Sequence, residues 1–295
     1  MNPLCRAVRG MFAVPVVLVA AVVLAVSPLA FSQSGASAAE DSPVYKAFTQ
    51  LKGQSSYRMT INIETKDPRM AQMAAMGMGM GAMEKVVQGN TTQVVMHMKI
   101  PAMDQRGAID DWEIRAVVKD GRAARLITSP AVPRLLKRGD QMLDMQMAMM
   151  EKQAATSIAQ ALAQGPLGAI SAAVQGASAA ASMAEAVALK KKAHEFFSWQ
   201  CVPGAGQSTE KTTPQLTDLH TVADHKVGET AAAAYEFFVN ENGKSQGPVR
   251  LLVAKDSGLP LRIEMSDPQG HGNVHMDYTD FSKTAEIEVP ECLSK

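Results

Sequence analysis

The 295-residue chain balances 29 basic against 29 acidic side chains and is 46% hydrophobic but only 5% aromatic. Without a basic excess it has no charge-based means of holding nucleic acid, and no polybasic patch is strong enough to hold an anionic membrane. Twenty methionines stand against eight phenylalanines and two tryptophans, so much of its apolar surface is soft and adaptable.

The first forty residues read as an address. Arg6 and Arg9 form a basic start, Met11 to Val26 an apolar run, and Ala36-Ser37-Ala38 a small-x-small cleavage pattern. Residues 1–38 are therefore expected to be a cleaved signal peptide that sends the chain to the periplasm. An uncleaved anchor over residues 11–31 is the alternative. Residues 39–295 then form one domain of about 257 residues, with 27 basic against 29 acidic groups. Cys201 and Cys292 are the cysteines beyond the signal. An even count in an exported chain suggests a disulfide, with two free thiols as the alternative.

Ser42-Pro43 opens a short helix whose Val44, Phe48 and Leu51 share one face, and Gly53 ends it. In Tyr57 to Ile63 every odd position is apolar and every even one polar, the pattern of a half-buried strand. A Met/Ala/Gly tract fills residues 70–83. Val94, Met96, Met98 and Ile100 resume the alternation, Trp112 to Val118 repeats it, and Asp120-Gly121 turns into Ala124 to Thr128. Between about 132 and 198 the pattern becomes helical. Leu135 to Ala163 carries Met142, Met145 and Met149 on one stripe, Gly165-Pro166 breaks the run, and an Ala-rich helix follows over 167–197. A meander closes the chain, with alternating strands at Tyr235, Phe237 and Val239; at Val249, Leu251 and Val253; at Leu261, Ile263 and Met265; and at Val274, Met276 and Tyr278. Ile287 and Val289 predict a last short strand. The sum is an α+β fold, a half-open antiparallel β-barrel of about ten strands with an N-terminal helix and a helical lid insertion.

The stretch Lys255-Asp256-Ser257-Gly258-Leu259-Pro260-Leu261-Arg262-Ile263, the closing Asp277-Tyr278-Thr279-Asp280-Phe281 with Ile287-Glu288-Val289-Pro290, and an N-terminal helix running into a Tyr-led strand resemble the periplasmic lipoprotein-carrier superfamily (LolA/LolB-like, with the related mycobacterial carriers). The resemblance implies an unclosed barrel whose concave face is covered by helices and takes up acyl chains. The Met-rich tract and the helical insertion depart from that pattern.

Alternation places Tyr57, Met59, Ile61, Ile63, Val94, Met96, Met98, Trp112, Ile114, Tyr235, Phe237, Leu251, Leu261, Ile263 and Met276 on the cavity side. Met142, Met145 and Met149 belong to the candidate lid. The expected partners are a lipid or acylated protein, with inner- or outer-membrane proteins to deliver or receive it; no nucleic acid is expected, and the chain is expected to act as a monomer. Two other readings compete. Met70, Met73, Met76, Met78, Met80 and Met83 offer thioethers to Cu(I), which makes a Met-rich copper-binding protein the first alternative. An envelope structural protein, its barrel filled by its own side chains, is the second.

His271 and His275 with Asn273 and Asp277, and His220 and His225 with Asp218 and Asp224, lack a closed ligand set and read as solvated faces. So does Lys190-Lys191-Lys192 at its helix end. Asp110-Asp111 reads as a strand entry. There is no nucleophile elbow, no zinc-protease helix and no phosphate-cradling loop, so neither an enzyme nor a cofactor is expected.

Overall fold

The computed structural model describes residues 41–294 apart from 66–71, 73, 103–104, 106, 163–165, 203–214, 242–243 and 267–271. The expected signal peptide, Met70, Met73 and His271 lie outside the described residues.

Helix α1 (Pro43–Lys52) begins where the Ser42 hydroxyl accepts the Tyr45 amide at 3.1 Å and Pro43 occupies the first turn. Its stripe of Val44, Ala47, Phe48 and Leu51 is buried. Eleven strands follow: β1 (Ser56–Thr65), β2 (Gly79–Gln88), β3 (Thr91–Pro101), β4 (Ile109–Lys119), β5 (Arg122–Thr128), β6 (Gln200–Val202), β7 (Gln215–Val227), β8 (Thr230–Glu241), β9 (Lys244–Ala254), β10 (Pro260–Ser266) and β11 (Gly272–Thr279). They form one antiparallel sheet in the order β6-β5-β4-β3-β2-β1-β11-β10-β9-β8-β7. Two meanders are thus stitched together by β1 against β11, and the outer strands β6 and β7 do not meet, so the barrel stays half open. At the β4–β5 hairpin, Asp120 and Gly121 both take positive φ, 49° and 74°, which matches the twist of the flanking strands.

Three strands were not expected. β2 begins inside the Met/Ala/Gly tract, and a bulge between Met80 and Met83 interrupts its register with β3. β7 carries two register shifts against β8, so its apolar residues do not fall at period two. β6 has only three residues. The strand predicted over Ile287 and Val289 does not form. Instead, residues 283–290 run as a strap across the sheet. The Ser56 hydroxyl donates to the Lys283 carbonyl at 2.5 Å, the Gln88 side chain accepts from the Ala285 amide at 3.2 Å, and Glu288 pairs with Arg115 at 2.8 Å. The strap ends in the short helix α4 (Glu291–Ser294), where Cys292 is disulfide-bonded to Cys201 of β6.

Helices α2 (Val132–Leu162) and α3 (Pro166–Phe196) are inserted between β5 and β6, which are neighbours in the sheet. The two ends of the insertion already lie close together, so its length adds little closure entropy. Each helix has 31 residues and is therefore about 46 Å long. They pack on each other, with Lys190 paired to Asp144 at 3.3 Å and His194 to Asp140 at 3.1 Å. Among the described residues, no helix is long and apolar enough to cross a membrane.

Candidate binding face

Residues directly opposite one another in neighbouring strands point to the same face of a sheet. Register therefore defines an inner face that runs across nearly the whole width. From β8 it passes through Tyr235↔Leu251, Leu251↔Ile263, Ile263↔Met276, Met276↔Ile61 and Ile61↔Met83. It continues through Met83↔Met96, Met96↔Ile114 and Ile114↔Ile127. Two apolar clusters lie along it. The first gathers Met59, Ile61, Phe237, Val249, Leu251, Val253, Ile263 and Tyr278 under helix α1. The second gathers Val94, Met96, Ile114 and Ile127 under Phe196 and Phe197, at the root of the helical insertion. Met83 touches both.

The two ends of this face differ. Helix α1 covers the end near the Lys255–Leu259 turn. There Gly258, at φ 68°, lets the Gln50 side-chain amide approach so closely that a Cβ would overlap it, and that amide donates to the Gly258 carbonyl at 2.7 Å. Towards the other end, Met83, Met98, Trp112, Met265, Val274 and Met276 are half-buried, and Ile63 is 52% exposed. This methionine-rich rim is also where the insertion leaves the sheet. Buried Asp110 holds the first turn of α2 through both carboxylate oxygens, at 2.9 and 3.2 Å from the Arg134 guanidinium.

The outer face has a different chemistry. Arg58 pairs with Glu84 and Asp280, Arg262 with Asp277 and Glu264, and Arg250 with Glu236 and Glu264. Arg58 and Lys283 hold the Asp280 carboxyl below the usual carboxylate range. A recess of about 120 Å³, lined by Arg58, Val86, Asp280 and Lys283 to Ala285, lies beneath the strap. Val117, Ala124 and Leu293, and separately Ala232, Ala234 and Leu252, make two small outer clusters.

Fourteen of the fifteen side chains assigned to the cavity by alternation lie on the inner face, in or beside its two clusters. Leu261 does not. A register shift between Pro260 and Arg262 makes it the extra residue of a bulge, and it packs with Ala232, Ala234 and Leu252 on the other side. Met142, Met145 and Met149 are 59–66% exposed. His275 lies 3.8 Å from Asp277, which Arg262 already engages, and His220 lies 3.8 Å from Glu236. Among the described residues, no group of three or more His, Cys, Asp or Glu is placed to hold a metal ion. Met76 is exposed and Met78 half-buried, whereas Met83, Met96 and Met98 belong to the inner face.

Sequence reasoning missed Lys85. It lies in β2, directly opposite Met59 on one side and Val94 on the other, and is 7% exposed. Among the described residues no hydrogen bond or ion pair holds it, and burial pushes its ammonium below the usual lysine value. Another donor on this face, the Trp112 indole N–H, is buried without a partner, while its ring lies 6.0 Å from that of Phe197 at a tilt of 37°. Buried polar groups are almost always paired, so the unmatched indole and a largely buried lysine set among apolar neighbours stand out on this face.

No known protein family and no curated protein matches the sequence. Among solved structures the chain is similar to the Mycobacterium tuberculosis lipoprotein LppX, with 10% identity, 86% of this chain and all of that one covered, and a TM-score of 0.38. It is also similar to MucB in its complex with MucA(peri), with 12% identity, 85% and 57% covered, and a TM-score of 0.26. A LolA superfamily protein from Nitrosomonas europaea matches with 9% identity, 84% and 96% covered, and a TM-score of 0.22.

Proposed function

We propose that this chain is an exported, periplasmic binding protein that carries a lipid, or the acyl chain of a lipidated protein, on the inner face of its sheet without transforming it. The observation that carries this reading is the asymmetry of that face. It is apolar from β8 to β5, closed by α1 at one end, and bordered at the other by a half-exposed rim of four methionines, Trp112, Val274 and Ile63. Each methylene withdrawn from water there contributes about 0.8 kcal/mol, and thioether side chains repack around guests of different shape.

A non-covalent carrier must also release its cargo, which calls for a cover that opens. The α2–α3 insertion is the candidate. It is rooted at the rim end, through Arg134 on Asp110 and through Phe196 and Phe197 on the inner face. Its exposed Met142, Met145 and Met149 are then surface for the lipid or for a membrane protein that delivers or receives it.

The test is native mass spectrometry of the exported protein purified from cells, together with titration of a fluorescent fatty acid. Co-purified lipid or saturable uptake, weakened when Met83 and Met98 become glutamine, is the expected result. If no apolar guest is found and none is taken up, the carrier reading is wrong.

A further inference from the structure

The geometry points to Lys85 as the anchor for the anionic head of a single-chain amphiphile lying on the inner face, its tail running towards the methionine rim. This deepens the carrier reading and rests on it.

The argument starts from placement. Lys85 sits on β2, the strand where the two apolar clusters join. Its cross-strand neighbours are Met59 and Val94, and its same-face neighbours along the strand are Met83 and Val87. None can accept a hydrogen bond well or carry a negative charge. The nearest same-face polar positions by register are Tyr57, opposite Val87, and Thr92, also opposite Val87. Among the described residues the face holds one further cation, Arg125, opposite Ala116, and that one is occupied: its Nε donates to the Gln200 side chain at 3.0 Å and its guanidinium lies over the Phe196 ring. The carboxylates of β1 and β2, Glu64 and Glu84, alternate onto the outer face, where Glu84 serves Arg58.

An ammonium in such a place is costly for the fold unless something compensates it. What the surroundings of Lys85 lack is a carboxylate, and Trp112 Nε1, another donor on the same face, is buried without a partner. A guest that brings acceptor oxygens on an apolar body supplies it. Depth selects the guest further. Met83 lies two residues nearer the rim than Lys85, so the head would sit beneath the methionines and the tail would run outward along them. A small head, a carboxylate or a phosphate monoester, satisfies this arrangement.

The experiment measures displacement of a bound fluorescent probe by palmitic acid, by its methyl ester and by lysophosphatidic acid. Wild-type protein is compared with Lys85→Met and Lys85→Arg. The expected result is an acid-over-ester preference of tenfold or more in the wild type. That preference should collapse to about one in Lys85→Met through weaker acid binding, with the ester unchanged, and persist in Lys85→Arg. Equal loss for palmitic and lysophosphatidic acids assigns the site to anionic heads in general, whereas loss for only one names the head; either supports the anchor. Two results overturn it: an unchanged acid preference in Lys85→Met, or wild-type protein that binds acid and ester equally. Failure of all three ligands to bind the wild type would instead sink the carrier reading beneath it.

Discussion

The two halves of the sheet solve the same problem differently. In the C-terminal half, β8 to β11 with β1, helix α1 lays Val44, Ala47, Phe48 and Leu51 onto the inner face, and Leu251 and Val44 are fully buried. Away from the rim, that half is a core that fills itself. In the N-terminal half, β2 to β6, Phe196 and Phe197 provide the aromatic cover, and the largely buried Lys85 and the unmatched Trp112 indole N–H lie on it. A self-filled core marks the part that provides stability, and polar groups set into an apolar face mark the part proposed to bind.

The disulfide provides the strongest way to break this comparison. It joins the edge strand of the N-terminal half to the end of the strap over a separation of 91 residues, worth about 4–5 kcal/mol on the chain-entropy account. Replacing Cys201 and Cys292 by serine should lower the unfolding free energy extrapolated from urea melts by that amount. Amide exchange should rise first in β5, β6 and residues 283–294, with β8 to β11 little changed. Uniform loss of protection would show that the halves do not differ in this way.

Leu251→Ala strikes the self-filled half. A fully buried leucine truncated in a packed core costs about 3 kcal/mol, and denaturant melts should show a loss of that size. Trp112→Ala, at the half-exposed rim, should cost less stability and more ligand affinity. Equal costs at the two sites would erase the distinction.

Lys85→Met should act with the opposite sign. Burial lowers the folded-state pKa below the unfolded one, so between the two values the unfolded chain binds more protons and stability rises with pH. Removing the ammonium should stabilise the ligand-free protein at neutral pH by about 1 kcal/mol and abolish that alkaline gain. Thermal melts at several pH values would show it, and a destabilised variant would mean Lys85 has a structural partner.

The smallest effect belongs to Asp280 on the outer face. Its folded pKa is depressed by Lys283 and Arg58. Its contribution is therefore present above the ordinary carboxylate range and disappears as pH falls through the folded value. Asp280→Asn should flatten that acid-side slope and leave ligand binding untouched.

Much of the fold was legible from the chain. Ser42-Pro43 announced α1, Pro166 opens α3, and Asp120-Gly121 made its hairpin, because caps and turns depend on residues within a few positions of one another. Most of the inner face followed from period-two alternation for the same local reason. The misread elements share a different cause. Bulges in β2 and β7 shift the period, a bulge turns Leu261 outward, and the strap over Ile287 and Val289 is held by Ser56, Gln88 and Arg115, which are distant in sequence.

Lys85 shows where that boundary lies. In Met83-Glu84-Lys85-Val86-Val87 a lysine occupies an inward position and a valine an outward one, so periodicity alone describes no strand at all. The residue order decided which segments become helix or strand and which side chains are oily. Only pairing with β1 and β3 decided that this ammonium would face Met59 and Val94, because the direction of a side chain in a sheet is set by its register with neighbours far along the chain.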